Sequence, residues 1–302
     1  VIDYHVHLWP HAIRAEASEQ RLERLAVYCD RAAAEDVSEI ALTEHFFRFT
    51  QGRAAVGDFW LDEPGSPFAA TMGAYFDHHA TADLDAYVTA ACEARDTGLP
   101  VVVGLEVDYY PGKMDAVARL LDGYPFDVLL GSVHWLGTWQ FDLLYDEGCL
   151  AEWDRRRVED VWRRYTEALE ELAATRTCDV LAHPDFVKLA GRRPSAATLD
   201  ECYDRMAQAA LASGMAAEIS SAGFRAPVGE QYPASGLLAR FAARGVPVTT
   251  ASDSHGPGCV GERAGELGRF AAAAGYTTLR AFRQRVGHDV ALDPGRRASG
   301  KA

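Results

Sequence analysis

Seven times along the chain, a short run of apolar residues stops at a polar one and gives way to a helical pattern. The runs are VIDYH (1–5), EIALTEH (39–45), PVVVGLE (100–106), FDVLLGSVH (126–134), CDVLAH (178–183), MAAEIS (215–220) and VPVTTASDSH (246–255). They are largely continuous rather than alternating, the pattern of strands buried on both faces in a parallel sheet. Between them, Leu84, Tyr87, Val88, Ala91 and Cys92 fall on one helical stripe, and Leu22, Leu25, Ala26 and Cys29 on another. Seven strand–helix units in 302 residues predict an α/β fold, a closed or nearly closed barrel in one domain over 1–302. Residues 46–80 and 135–150 break the rhythm with Gly, Pro and aromatics, and are expected as loop insertions that wall a pocket.

The polar residues that end the runs are not random. Strand one ends in His5-x-His7 with His11 just beyond, and strand two in Glu44-His45. The next three end in Glu106, His134 and His183, and the last in Asp253-x-His255. A parallel barrel gathers the C-terminal ends of its strands around one mouth, so residues far apart in sequence converge there. An HxH on a strand turns both imidazoles to the same face. Imidazole and carboxylate are ligands for divalent transition metals, and Zn, Mn and Fe all suit them. Two or three such ions are expected. His78, His79 and His288 stand outside the set, the first two as a polar helix start and the last near a frayed C-terminus.

These residues also carry a resemblance. DYHVH (3–7), TEH (43–45), GLE (104–106), SVH (132–134), AHPD (182–185) and SDSH (252–255) resemble the polymerase-and-histidinol-phosphatase (PHP) family of phosphoesterases. GLEVDYYPG (104–112), GSVHWLGTWQFD (131–142), AHPDFVK (182–188), EISSAGFR (218–225) and YP (232–233) are similar to its histidinol-phosphatase branch. The resemblance implies a distorted (β/α)7, TIM-like barrel. It implies a first metal on His5, His7, Glu106 and Asp253, with Glu106 bridging to a second on His134 and His183. A third would take His11, His45 and His255. It further implies hydrolysis of L-histidinol phosphate in histidine biosynthesis, with another small phosphorylated metabolite as the alternative. Metal-dependent amidohydrolases also open on HxH, but they usually need a carbamylated lysine at a middle strand tip, and none ends in Lys here. A non-catalytic metal-stabilised module is disfavoured by the complete ligand set.

Three divalent ions against two carboxylates would leave a positive mouth suited to a phosphate monoester, despite a net charge of −14. A hydroxide bridging two ions is the expected nucleophile. Arg225 is the preferred guanidinium for the phosphate, with Arg48, Arg53 and Lys188 as further cations. Glu218, Trp135, Trp139, Tyr109 and Phe47 are candidate contacts for a cationic, aromatic leaving group. A metal-held water, Asp185 or a histidine could protonate that group. The acidic balance argues against nucleic acid, and no run is long enough to span a membrane. Six cysteines without a CxxC pair, and the lack of a signal-peptide pattern, make a cytoplasmic location the expectation.

Overall fold

The computed structural model describes residues 1–10, 20–63 and 65–292. His11 lies outside them, so its expected role as a ligand is not addressed by the geometry. The chain begins with β1 (Asp3–Val6), β2 (Ile40–Leu42), β3 (Val101–Asp108) and β4 (Val128–Ser132). A small hairpin follows, β5 (Trp135–Leu136) with β6 (Trp139–Gln140), before β7 (Val180–Leu181), β8 (Ala216–Ser220) and β9 (Val248–Ala251). The long strands pair in parallel in the order β1-β2-β3-β4-β7-β8-β9. Seven strands were expected, and seven form the barrel wall. Every residue of β3 is buried, as a strand covered on both faces requires.

Helices cover the outside. α1 (Leu22–Ala34) joins β1 to β2, and α2 (Thr50–Val56), α3 (Ala69–His79) and α4 (Leu84–Asp96) lie between β2 and β3. α5 (Met114–Leu121) precedes β4, while α6 (Glu147–Arg155) and α7 (Val158–Thr175) precede β7. α8 (Ala196–Ser213), α9 (Ser235–Arg244) and α10 (Ala264–Ala273) follow β7, β8 and β9 in turn. Asp83 caps α4 by accepting the Asp85 and Ala86 N–H groups at 2.8 and 3.2 Å. The buried stripe of α4 is Leu84, Tyr87, Val88, Ala91 and Ala94, so it drifts away from Cys92 along the helix. That drift is what a period of 3.6 produces over three turns.

Residues 46–80 are not the loop their sequence suggested. They hold a 3-10 turn at Phe46–Arg48 and the helices α2 and α3. Aromatic packing organises them: Phe59, Trp60, Phe76 and Tyr110 meet edge-on or tilted at 5.1–6.2 Å. His78 and His79 end α3 instead of starting a helix.

The barrel closes between its first and last strands. Val6 bridges Ser254 in parallel, and the His7 N–H donates to the Ser254 carbonyl at 2.7 Å. Asp3 clasps the same seam, accepting from Ser252 N and Oγ at 2.8 and 2.6 Å and from Gly261 N at 2.8 Å. The opposite end is covered by an antiparallel hairpin, β10 (Thr278–Arg283) with β11 (Val286–Ala291). Gln284 N donates to Asp127 just before β4, and Arg283 pairs with Glu39 just before β2. The hairpin therefore caps the strand N-termini and leaves the C-terminal mouth to the site. His288 lies on β11, exposed on this cap, and not in a frayed tail.

Candidate metal centre

The strand ends converge as the barrel topology requires. His5 and His7, one residue apart across Val6, both turn inward with no exposure. Glu106, two residues before the end of β3, stands at the centre of the cluster. Its Oε2 lies 3.5 Å from His5 Nε2 and 3.6 Å from His7 Nε2. Its Oε1 lies 3.6 Å from His134 Nε2 and 3.2 Å from His183 Nε2. Asp253 Oδ1 sits 3.4 Å from His7 Nε2 and 3.8 Å from His5 Nε2. His183 and Asp253 reach in from left-handed backbone, with φ of 28° and 51°.

Those spacings test the metal reading directly. Two donors each about 2.1 Å from one tetrahedral ion stand about 3.4 Å apart. Most of the distances above are too long for good hydrogen bonds, yet they match donors sharing an ion. His5 Nε2 and His7 Nε2 are buried and have no hydrogen-bond partner. Buried polar atoms left in that state are costly unless a ligand satisfies them. The residues fit divalent ions. Three clusters emerge: His5, His7, Asp253 and Glu106 Oε2; His134, His183 and Glu106 Oε1; and His45 with His255, whose Nε2 atoms face each other at 3.3 Å. His7 also lies near the third, its ring stacked on those of His45 and His255 at 4.1 Å. His45 departs from simple ligation of one ion, because its Nδ1 sits 2.6 Å from Glu106 Oε2.

Behind the imidazoles stands a layer that sequence reasoning largely missed. Glu218 Oε2 pairs with His5 Nδ1 at 2.7 Å, Glu44 Oε1 with His7 Nδ1 at 3.4 Å, and Asp108 Oδ1 with His134 Nδ1. Each carboxylate fixes the Nδ1–H tautomer and aims the Nε2 lone pair into the mouth. Glu218 also accepts the His183 backbone N–H at 3.2 Å, so it positions two candidate ligands from two strands. Its expected role as a substrate contact is corrected accordingly: it is completely buried behind His5. Asp108 follows Glu106 at the strand period of two, a signal in GLEVD that could have exposed it. These extra carboxylates make the mouth less positive than Glu106 and Asp253 alone imply.

The electrostatics favour cations. Burial pushes the Glu106 carboxyl up, but His45, His5 and His134 together with a hydrogen bond from His183 outweigh it, holding it well below the usual carboxylate range. Burial pulls His134 down, yet Asp108 and Glu106 push it up to about 10. Burial likewise opposes protonation of His5, but Glu218, Glu106 and Asp253 hold it well above the ordinary imidazole value. A field that so stabilises protons on buried imidazoles stabilises metal ions in their place.

Two expected phosphate contacts belong to the interior instead. Arg48 is fully buried, its Nε 3.2 Å from Glu44 and its Nη2 donating to the Pro10 carbonyl at 2.8 Å. Lys188 is fully buried too, with Asp185 at 2.9 Å, Glu230 at 2.6 Å and the Gln231 carbonyl at 2.8 Å. A buried charge survives only when paired, and these pairs consume the donors. Lys188 also stands in no ligand cluster, which removes the carbamylated-lysine alternative. Trp135 and Phe47 are buried packing rings, edge-on to His134 at 5.8 Å and stacked on His45 at 4.7 Å. Arg53 pairs with Asp58 at 2.5 Å on the outside of α2.

Arg225 alone among the expected cations reaches the mouth. It lines a cavity of about 280 Å³ together with Asp253, His255, Tyr75 and Phe186. Its Nη2 donates to the Ser252 and Asp253 carbonyls at 2.8 and 2.7 Å, and its Nη1 pairs with Glu262. A two-pronged grip on phosphate would require Glu262 to yield.

The orienting layer yields a measurable expectation. Glu218→Gln should weaken zinc binding about 10-fold or more while leaving the fold intact. Competition against a chelating dye reads the affinity and circular dichroism reads the fold. Unchanged affinity would mean that Glu218 does not orient His5.

The family model of the PHP domain matches residues 3–222. That match ends before Asp253 and His255, which the barrel closure brings in. A curated protein of Deinococcus radiodurans, named a probable histidinol-phosphatase, is 36% identical over 166 residues. The aligned part is 55% of this chain and 61% of that protein, so the chain matches less than two thirds of its relative's length. A crystal structure of histidinol phosphate phosphatase from Lactococcus lactis subsp. lactis, complexed with Zn, L-histidinol and phosphate, superposes with a TM-score of 0.66. The superposition covers 95% of this chain and 98% of that one at 22% identity, a likeness of fold. No helix among the described residues is long and apolar enough to cross a membrane.

Proposed function

We propose that this chain, which belongs to the PHP-domain family, is a metal-dependent phosphomonoesterase that hydrolyses L-histidinol phosphate to L-histidinol and phosphate. The observation that carries the metal-dependent part is the spacing of donors around Glu106, near 3.4 Å, with His5 Nε2 and His7 Nε2 lacking hydrogen-bond partners. The substrate assignment is supported by the curated relative's name and by the ligands in the solved relative's crystal. His5, His7, Asp253 and Glu106 would hold one ion, and Glu106, His134 and His183 a second. His45 and His255 would contribute to a third. Zinc is the metal named for the solved relative, and manganese and iron suit the same donors. Divalent ions bound there would neutralise phosphoryl oxygens and acidify a water for attack.

The chain's own residues do the rest. Glu218, Glu44 and Asp108 keep the imidazoles neutral at Nε2 and correctly turned. Arg225, once Glu262 yields, would hold non-bridging phosphate oxygens in the ground and transition states. The walls of Tyr75, Phe186 and Tyr232 exclude water beside the phosphate and give a planar leaving group a surface.

Arg225→Ala should raise KM for L-histidinol phosphate about 10-fold or more, in keeping with a lost charge-assisted hydrogen bond. Arg225→Lys should recover only part of this, because an ammonium cannot copy a guanidinium fork. Steady-state kinetics and elemental analysis check it. If Arg225→Ala matches wild type in kcat/KM and in inhibition by phosphate, Arg225 does not bind the phosphate. The substrate assignment is tested separately with a panel of metabolite phosphates. Turnover of other monoesters but not of L-histidinol phosphate would retain the phosphomonoesterase and replace its substrate.

A further inference from the structure

Most of the buried carboxylates in the molecule have an assigned partner. Asp3 clasps the seam, Asp108, Glu44 and Glu218 back histidines, and Asp185 holds Lys188. Asp142, half-buried at the mouth, is different. It follows β6 and lines the same cavity of about 280 Å³ as Arg225, Asp253 and His255. Its Oδ1 is buried and accepts no hydrogen bond, and no Lys, Arg or His forms an ion pair with it among the described residues. Burial pushes its carboxyl up to about 6, partly offset by the nearby charge of His134. An anion placed in that setting gains by meeting a cation at contact distance, and no side chain among the described residues forms that ion pair. The cavity can provide one, because its contents come from outside.

The surroundings specify what kind of cation. Arg225, Asp253 and His255 line the cavity and suit a phosphate. Tyr75, Phe186 and the exposed Tyr145 line it beside Asp142. A molecule carrying a phosphate, an amine and a flat ring would satisfy all of these groups. We propose that Asp142 is the counter-ion for a protonated amine on the substrate's leaving group. It thereby selects amino-alcohol phosphates over neutral monoesters. This rests on the phosphomonoesterase reading above and names the residue that would enforce its substrate class.

The test compares two esters that share an alkyl leaving group and a flat ring. L-histidinol phosphate carries the amine, and 3-phenylpropyl phosphate does not. In wild type, kcat/KM should favour the amine-bearing ester. Asp142→Asn should lower the ratio of the two kcat/KM values about 30-fold or more, as expected when one partner of a buried charge pair is neutralised. Asp142→Glu should recover part of the ratio. A loss shared equally by both esters would overturn the proposal, since it would mark Asp142 as a proton donor or a packing residue. If wild type hydrolyses 3-phenylpropyl phosphate but prefers no amine-bearing ester, the Asp142 assignment falls and the phosphomonoesterase reading stands. Should neither ester be turned over, the phosphomonoesterase reading falls, and calorimetry still judges Asp142. L-histidinol should bind metal-loaded Asp142→Asn about 30-fold more weakly than wild type, while inorganic phosphate binds both alike. Equal L-histidinol affinity overturns the proposal.

Discussion

Glu106→Gln lowers turnover of L-histidinol phosphate by about 10²-fold or more and reduces the metal content of the purified protein. The expectation follows from one carboxylate serving two clusters, Oε2 facing His5 and His7 and Oε1 facing His134 and His183. An amide has one oxygen ligand and no charge. The substitution removes a donor from one cluster and the shared anion from both, so mutual repulsion between neighbouring ions goes unopposed. No single histidine holds that position. His183→Ala or His134→Ala removes one donor from one cluster, and each should cost less than Glu106→Gln. Elemental analysis, steady-state kinetics and a thermal melt separate the effects. A Glu106→Gln protein with wild-type turnover and metal content would overturn the bridging role.

The second large effect comes from chelation. Exhaustive treatment with a strong chelator should reduce turnover to below about 1% of the loaded protein and lower the melting temperature by about 5 °C or more. Zinc should restore both. The melting shift follows because the loaded cluster fills orphaned atoms at the mouth, and a ligand that binds only the folded form stabilises it by mass action. The sign of the pH dependence can be worked out from the same residues. Carboxylates raise His134 to about 10 and hold His5 well above its ordinary value in the metal-free site. Those imidazoles carry protons that an incoming ion must expel. Metal uptake should therefore release protons, and affinity should weaken as pH falls. A pH-indicator dye during zinc titration measures the release. Uptake without proton release, or a melt insensitive to chelation, would show that the cluster is not a metal centre.

The parts of the site legible in the sequence were those that topology delivers. His5, His7, Glu106, His134, His183 and Asp253 could be picked out because each ends or nearly ends an apolar run, and parallel strands bring such ends together. Burial is not written in the same way. Arg48 and Lys188 read as accessible cations because they follow strands in loop-like sequence. Their carboxylate partners, Glu44 for one and Asp185 with Glu230 for the other, turn them inward. Glu218 was noticed for its place but given the wrong neighbour, since sequence separation hides a partner 213 residues away. The helices within 46–80 escaped notice because their aromatic residues pack on each other as well as on the barrel, which blurs any single stripe.

The seam between β1 and β9 has a consequence for how this protein is made. His5 and His7 emerge from a ribosome well before Asp253 and His255. Val6 and Ser254, which bridge the seam, lie on the first and last strands of the barrel. β1 must therefore wait, unpaired on one edge, until β9 has been synthesised. During that interval a half-built cluster offers its histidines and Glu106 to passing ions without Asp253 to complete the set. Translation that stops short of β9 would yield a chain able to capture metal loosely but not to seal it in. Full loading thus reports that synthesis has reached the last strand of the barrel.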